Sequence, residues 1–160
     1  MSNTHNIFIS HLGEDDRHLQ KLRERLGGIG CTVRNSSIDS TKHTNAPIPS
    51  NNKIAERLRN GIGWAKTFIC VIGPDTHQSP WVNYEIRQAY LQGKQIVGIY
   101  THGSSNAVEL PEAYKKYGGP PIGWNSLDKL NDILKGKAVA PENPDGTPSG
   151  PIYNIVRVKC

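Results

Sequence analysis

Apolar and polar positions along the chain alternate between two periods. Ile7 to Ser10 is a short run that reads as a buried strand, and after it Leu19, Leu22 and Leu26 recur at helical spacing from Asp15 until Gly27-Gly28, a stop signal. "CTVRN", Cys31 to Asn35, predicts a second strand. Ile54, Leu58, Ile62 and Ala65 then step along one face of a second helix. The run "TFICVI", Thr67 to Ile72, is apolar on both faces, as a central parallel strand is, and it ends at Gly73-Pro74. A third helix is expected to open near Trp81, to carry Ile86, Ala89 and Tyr90 towards the core and to stop at Gly93. "QIVGIY", Gln95 to Tyr100, follows as a fourth strand.

Beyond Tyr100 the elements shorten. "LPEAYKKY" predicts a helical turn, "PPIGW" a short edge strand, and "SLDKLNDIL" a last helix capped by Ser126 with Leu127, Leu130, Ile133 and Leu134 inward. The Pro- and Gly-rich stretch from Gly136 to Gly150 reads as irregular, and "IYNIVRV" either adds a strand or lies as a tail. We therefore divide the chain into a domain of residues 1–135 and a C-terminal extension of residues 136–160. Strands alternating with helices predict an α/β fold: a three-layer, flavodoxin-like sandwich around a central parallel sheet of order 2-1-3-4-5. Ligands of such sheets bind outside the carboxyl ends of the strands where the order reverses, here between the first and third. Three polar loops meet there: Ser10 to Asp16, Asn35 to Ser50 and Gly73 to Trp81.

Composition narrows the setting. The 160 residues suffice for one domain with a real core. No apolar run approaches the roughly 20 residues of a membrane span, and Met1 to Asn6 lacks the basic and apolar regions of an export signal. A cytoplasmic address is expected. Cys31, Cys70 and Cys160 include no close pair, which speaks against disulfides and a thiolate metal site. The net charge of +5 is scattered rather than clustered, which disfavours nucleic acid and suits a phosphate-bearing small ligand. "GGIG" follows a helix instead of opening one, so it is no dinucleotide fingerprint, and the sequence holds no P-loop, Cys-x-x-Cys or nucleophile elbow.

"IFISH" with "EDD" after it, then "VRNSSI", and above all "VIGPDTHQSPWVNYEIRQAYLQGKQIVGI", resemble the TIR-like domains of the bacterial Thoeris antiphage system, the ThsB group. The resemblance runs from about Ile7 to Tyr100, and its most specific part is the serine before "WVNYEI". It implies a TIR-like fold and cleavage of NAD at the nicotinamide ribosidic bond. NAD would be a substrate, with no resident cofactor and no metal. The ADP-ribosyl product, cyclised or joined to an acceptor, would switch on a separate effector protein during infection, with a phage component as a further partner that triggers the chain. The matching catalytic position is Glu85.

The residues themselves offer two readings at most positions. A carboxylate near a developing oxocarbenium ion, or bonded to the ribose hydroxyls, is what this reaction needs; a Glu near a helix start can equally serve only the helix dipole. On a helix from Ser79, Trp81 and Glu85 are expected on one face, with Ile86 and Ala89 turned to the sheet. Ser10 and His11 either line the ribose and phosphates or bond the turn and face solvent. Asp15 and Asp16 read as helix-start acids. Asn35 and Ser36 are candidates for ligand contact from a loop that otherwise mediates self-assembly or stays a polar connection, and Trp81 either stacks on a ring or packs. Two rivals to the enzyme reading stand beside it: a non-catalytic TIR-like module that binds proteins or itself, and an N-ribosyl transferase or hydrolase of free nucleosides.

Overall fold

The computed structural model describes residues 5–11, 16–35, 53–101, 108–137, 139–144 and 147. Four strands, β1 (His5–Ser10), β2 (Cys31–Asn35), β3 (Thr67–Ile72) and β4 (Gln95–Tyr100), form one parallel sheet in the order β2-β1-β3-β4. Helices α1 (Asp16–Gly28) and α5 (Leu130–Leu134) cover one face, and α2 (Lys53–Trp64), α3 (Pro80–Leu91) and α4 (Glu112–Tyr117) cover the other. The strand alternation decides which side chains each layer receives. Ile7 and Ile9 of β1, with Ile69, Val71, Val97 and Ile99, pack against Leu19, Leu22 and Leu26. Phe8, Phe68, Cys70 and Ile72 face Leu58, Ile62, Val82 and Ile86, with the Phe8 and Phe68 rings stacked at 5.8 Å. All six residues of β3 are buried, as its place between two neighbours requires.

The fold is the expected α/β sandwich with parallel order, and among the described residues the sheet has four strands. Among the described residues, Ile122 pairs at the fifth position as an isolated bridge to Ile99. Its amide donates to the Gly98 carbonyl at 3.0 Å and its carbonyl accepts from Tyr100 N at 2.9 Å. A ladder continuing backwards would need the amide of residue 120, and Pro120 has none. Gly119 N reaches the Ile96 carbonyl instead, at 3.0 Å. The Tyr114 phenol, buried over Gly98, takes that residue's N–H and donates to the Gly119 carbonyl at 2.6 Å. Burial, with the Cys70 thiol and the Tyr100 phenol close by, pushes the Tyr114 hydroxyl well above its ordinary range against the pull of the Gly98 bond.

"SLDKLNDIL" also differs from expectation. Residues Trp124–Lys129 wind as a 3-10 stretch before α5, and Ser126 sits inside it with φ −107°, ψ 21° rather than capping a helix. Its hydroxyl donates to Glu142 Oε2 at 2.9 Å. The tail "IYNIVRV" lies outside the described residues.

Candidate active site

The carboxyl ends of β1 and β3 carry the site. Alternation along β1 puts Phe8 and Ser10 on the face covered by α3, and the parallel register sets Ser10 level with Cys70. After β3 the chain makes a tight connection: Gly73 N donates to Thr76 Oγ1 at 2.8 Å, and a single 3-10 turn, Thr76–Gln78, leads to Ser79. Ser79 is the N-cap of α3, its Oγ accepting from Val82 N at 3.2 Å, and Pro80 supplies the pre-set first helical residue. Asn83 then ties the start of the helix to its surroundings. Its Nδ2 donates to the Ser79 carbonyl at 3.0 Å and its Oδ1 accepts from Ala113 N, at the start of α4, at 2.9 Å.

On this frame Val82, Glu85, Ile86 and Ala89 are the buried residues of α3. The expectation that Glu85 lies apart from the core-facing Ile86 and Ala89 is corrected here, because all three are buried. Steps of about 100° per residue put position 85 about 40° from 89 and about 40° from 81, at the edge of the sheet-facing stripe, where Glu85 is buried with Val82, Ile86 and Ala89. It is 1% exposed, and its Oε1 accepts a hydrogen bond of 2.8 Å from Ser10 Oγ, itself fully buried. The two residues are 75 apart in sequence. The dipole alternative for Glu85 loses its basis, because the residue lies beyond the first turn of α3, where that field has decayed, and is out of solvent.

The other candidates fall as follows. His11 is 7% exposed, buried rather than solvated. Trp81 is half-buried against the core on the α3 face, its ring edge-on to Tyr84 at 6.0 Å. Asn35 ends β2 with its backbone paired to Ile9, one residue before Ser10; its side chain, and all of Ser36, lie outside the described residues, as do Asp15 and the loop to Ser50. The structure thus joins Ser10 to Glu85 directly and puts His11 and Asn35 at the same end of the sheet. Sequence reasoning missed Asn83 and Trp124. Trp124 follows the Ile122 bridge and meets His18, in the first turn of α1, edge-on at 4.9 Å. A Trp after Gly123 carried no periodicity that could have flagged it.

Among the described residues no group of three His, Cys, Asp or Glu side chains is arranged to hold a metal, and no helix is long and apolar enough to cross a membrane. A cavity of about 430 Å³ lined by Gln95, Ile96, Val97, Tyr117, Ile133 and Lys137 opens at the amino end of β4, the opposite end from Glu85.

Solved structures share this architecture at low identity, which makes the likeness one of fold alone. A 2-deoxyribosyltransferase from Bacillus psychrosaccharolyticus matches with a TM-score of 0.56 and 16% identity, covering 90% of this chain and 98% of that one. The TIR domain of the Toll-related receptor TRR-2 from Hydra magnipapillata matches with a TM-score of 0.56 and 17% identity over 83% and 94%. A prokaryotic SEFIR domain matches with a TM-score of 0.50 and 15% identity over 82% and 91%. No curated protein matches. The family model for the TIR-like domain of Thoeris protein ThsB matches residues 8–106, a span that runs from the second half of β1 through β4 and holds both Ser10 and Glu85. That is more than half of the 160 residues, and the chain belongs to the family of Thoeris ThsB TIR-like domains.

Proposed function

We propose that this protein cleaves NAD at the nicotinamide ribosidic bond and releases an ADP-ribosyl signal that activates a separate antiphage effector, with Glu85 as the catalytic carboxylate. The observation that carries this reading is a carboxylate 1% exposed at the carboxyl end of a parallel sheet, held by a hydroxyl from a different strand. Buried charge is costly, and sites that retain it are enriched in chemistry. The C1′–nitrogen bond breaks with its electron pair leaving on nicotinamide, whose ring nitrogen loses its positive charge. The ribosyl carbon takes that charge, and Glu85 stabilises it. An acceptor lone pair then closes on C1′, and any proton the acceptor sheds has a base in the same carboxylate.

Ser10, His11 and Asn35 at this end of the sheet, with Ser36 and Trp81, make up the rest of the proposed NAD site, and a phage component is the proposed trigger. The fold likeness to a 2-deoxyribosyltransferase keeps a second reading in play, transfer of a ribosyl group from a free nucleoside, which breaks the same type of bond. Mass spectrometry of nucleotides from phage-infected cells expressing the protein or Glu85→Gln separates the readings. NAD consumption with a new ADP-ribosyl species, lost in the variant at equal expression, supports NAD cleavage. Turnover of added deoxynucleosides with NAD untouched supports the second reading. Protection from phage by both proteins, with no nucleotide change, would leave a module that acts by binding.

A further inference from the structure

We propose that Ser10 is a positioning residue for Glu85, fixing the carboxylate opposite the ribosyl carbon rather than binding the ribose itself. This assignment rests on the NAD-cleaving reading and revises the role first expected of Ser10. A serine hydroxyl has one proton to donate. Here that proton lies on the bond to Glu85 Oε1, at 2.8 Å, and the residue is fully buried, so it has none to offer a sugar hydroxyl.

The geometry also shows why such a residue is needed. The backbone of Glu85 is fixed by the Ser79 cap and the Asn83 clamp, but a glutamate side chain has three further torsions, and only contacts at its tip can set them. Ser10 supplies that contact from β1, an inner strand held by β2 on one side and β3 on the other, where Ser10 pairs with Cys70. A reference point on a strand paired on both sides is stiffer than one on a loop. With Glu85 ionised, as the proposed chemistry requires, the bond is charge-assisted and so about twice as strong as a neutral one. Misplacing a reacting group by an ångström costs about 100-fold in rate, so loss of this contact should appear in turnover and not in binding.

The test compares Ser10→Ala, Ser10→Thr, Glu85→Gln and the double variant Ser10→Ala/Glu85→Gln in the full chain. NAD affinity is measured by calorimetry, NAD consumption in infected cells at matched expression, and the Glu85 conformation by a crystal structure of Ser10→Ala. Removing one oxygen adds no bulk, so Ser10→Ala is expected to fold. It should lower consumption by about 10- to 100-fold, leave NAD affinity within about twofold, and add nothing to Glu85→Gln. Ser10→Thr, which keeps the hydroxyl, should restore much of the rate, and Glu85 should leave its place in the Ser10→Ala crystal. A fall in NAD affinity beyond about tenfold would make Ser10 a ribose contact, and undiminished consumption would remove its role altogether; either overturns the proposal. If the unaltered protein consumes no NAD, the functional reading fails by itself, and the crystal structure then decides: a Glu85 unmoved in Ser10→Ala overturns the positioning role too.

Discussion

A carboxylate in the apolar stripe of a helix works against stability. Taking an ionised group from water costs several kcal/mol before its partners recover part of it, and Glu85 pays this among Val82, Ile86 and Ala89. Replacing both ends of a buried polar pair by apolar groups avoids stranding one end without the other, whereas removing one end does not. The double variant Ser10→Ala/Glu85→Leu is therefore expected to match or exceed the unaltered protein in stability, by up to about 2 kcal/mol, while losing function. Urea unfolding reads the outcome, and a large loss in the double variant would mark the pair as structural. The helix start makes the opposite case. Ser79→Ala takes away the acceptor for Val82 N and is expected to cost about 1 kcal/mol, read in the same titration. Ser10 was legible as the polar end of an apolar strand, whereas Glu85, expected apart from Ile86 and Ala89, is buried with them, although its spacing of three, one and four from Val82, Ile86 and Ala89 stands in the sequence. What the pattern could not supply was their meeting, since a bond between residues 75 apart depends on how α3 lies against the sheet.

Elements differ in how fully their own residues specify them. β3 and β4 have the limits their apolar runs predict, because a strand bounded by polar residues and glycine has nowhere else to bury its side chains. "PPIGW" pairs through a single bridge for a reason written in the sequence yet outweighed there by apolar content: it offers no amide at Pro120 or Pro121. Tyr114 fills the space this leaves over β4, and Gly98 is the residue that admits it. A Cβ at position 98 would lie 2.6 Å from the Tyr114 hydroxyl oxygen. Gly98→Ala is expected to cost about 2 kcal/mol through this overlap. The cost should shrink markedly in a Tyr114→Leu background, because the clashing ring is gone, and a double-mutant cycle measures the coupling. Equal costs in the two backgrounds would show that the ring is not what makes glycine necessary.

On the scale of the whole molecule, the described residues 139–144 are tied to the segment after β4 by the Glu142 carboxylate. Glu142 is 5% exposed; its Oε1 accepts from Gly123 N at 2.9 Å, and its Oε2 from Ser126 Oγ at 2.9 Å and Lys129 Nζ at 2.6 Å. Its own amide donates to the Pro121 carbonyl at 2.8 Å. The segment so held contains Trp124, whose ring meets His18 at the start of α1, so Glu142 braces the turn that packs against that helix. Burial alone would raise the carboxyl's pKa, but Lys129, the Gly123 amide and the Ser126 hydroxyl more than reverse this and hold it below the ordinary value of 4.5. A group depressed in the folded state lends stability that is fully present above its unfolded pKa and is lost as pH falls through the folded one. Glu142→Gln keeps the shape and discards the charge. It should lower stability by about 2 kcal/mol near neutral pH, and the gap to the unaltered protein should stay level down to about pH 5 and close below 4.5, as the native carboxyl takes up its proton. Urea midpoints measured across that range give the answer, and a gap that persists undiminished well below pH 4 would mean that the cost of Glu142→Gln lies in setting an amide NH2 against the donors of Gly123, Ser126 and Lys129 and not in the lost charge.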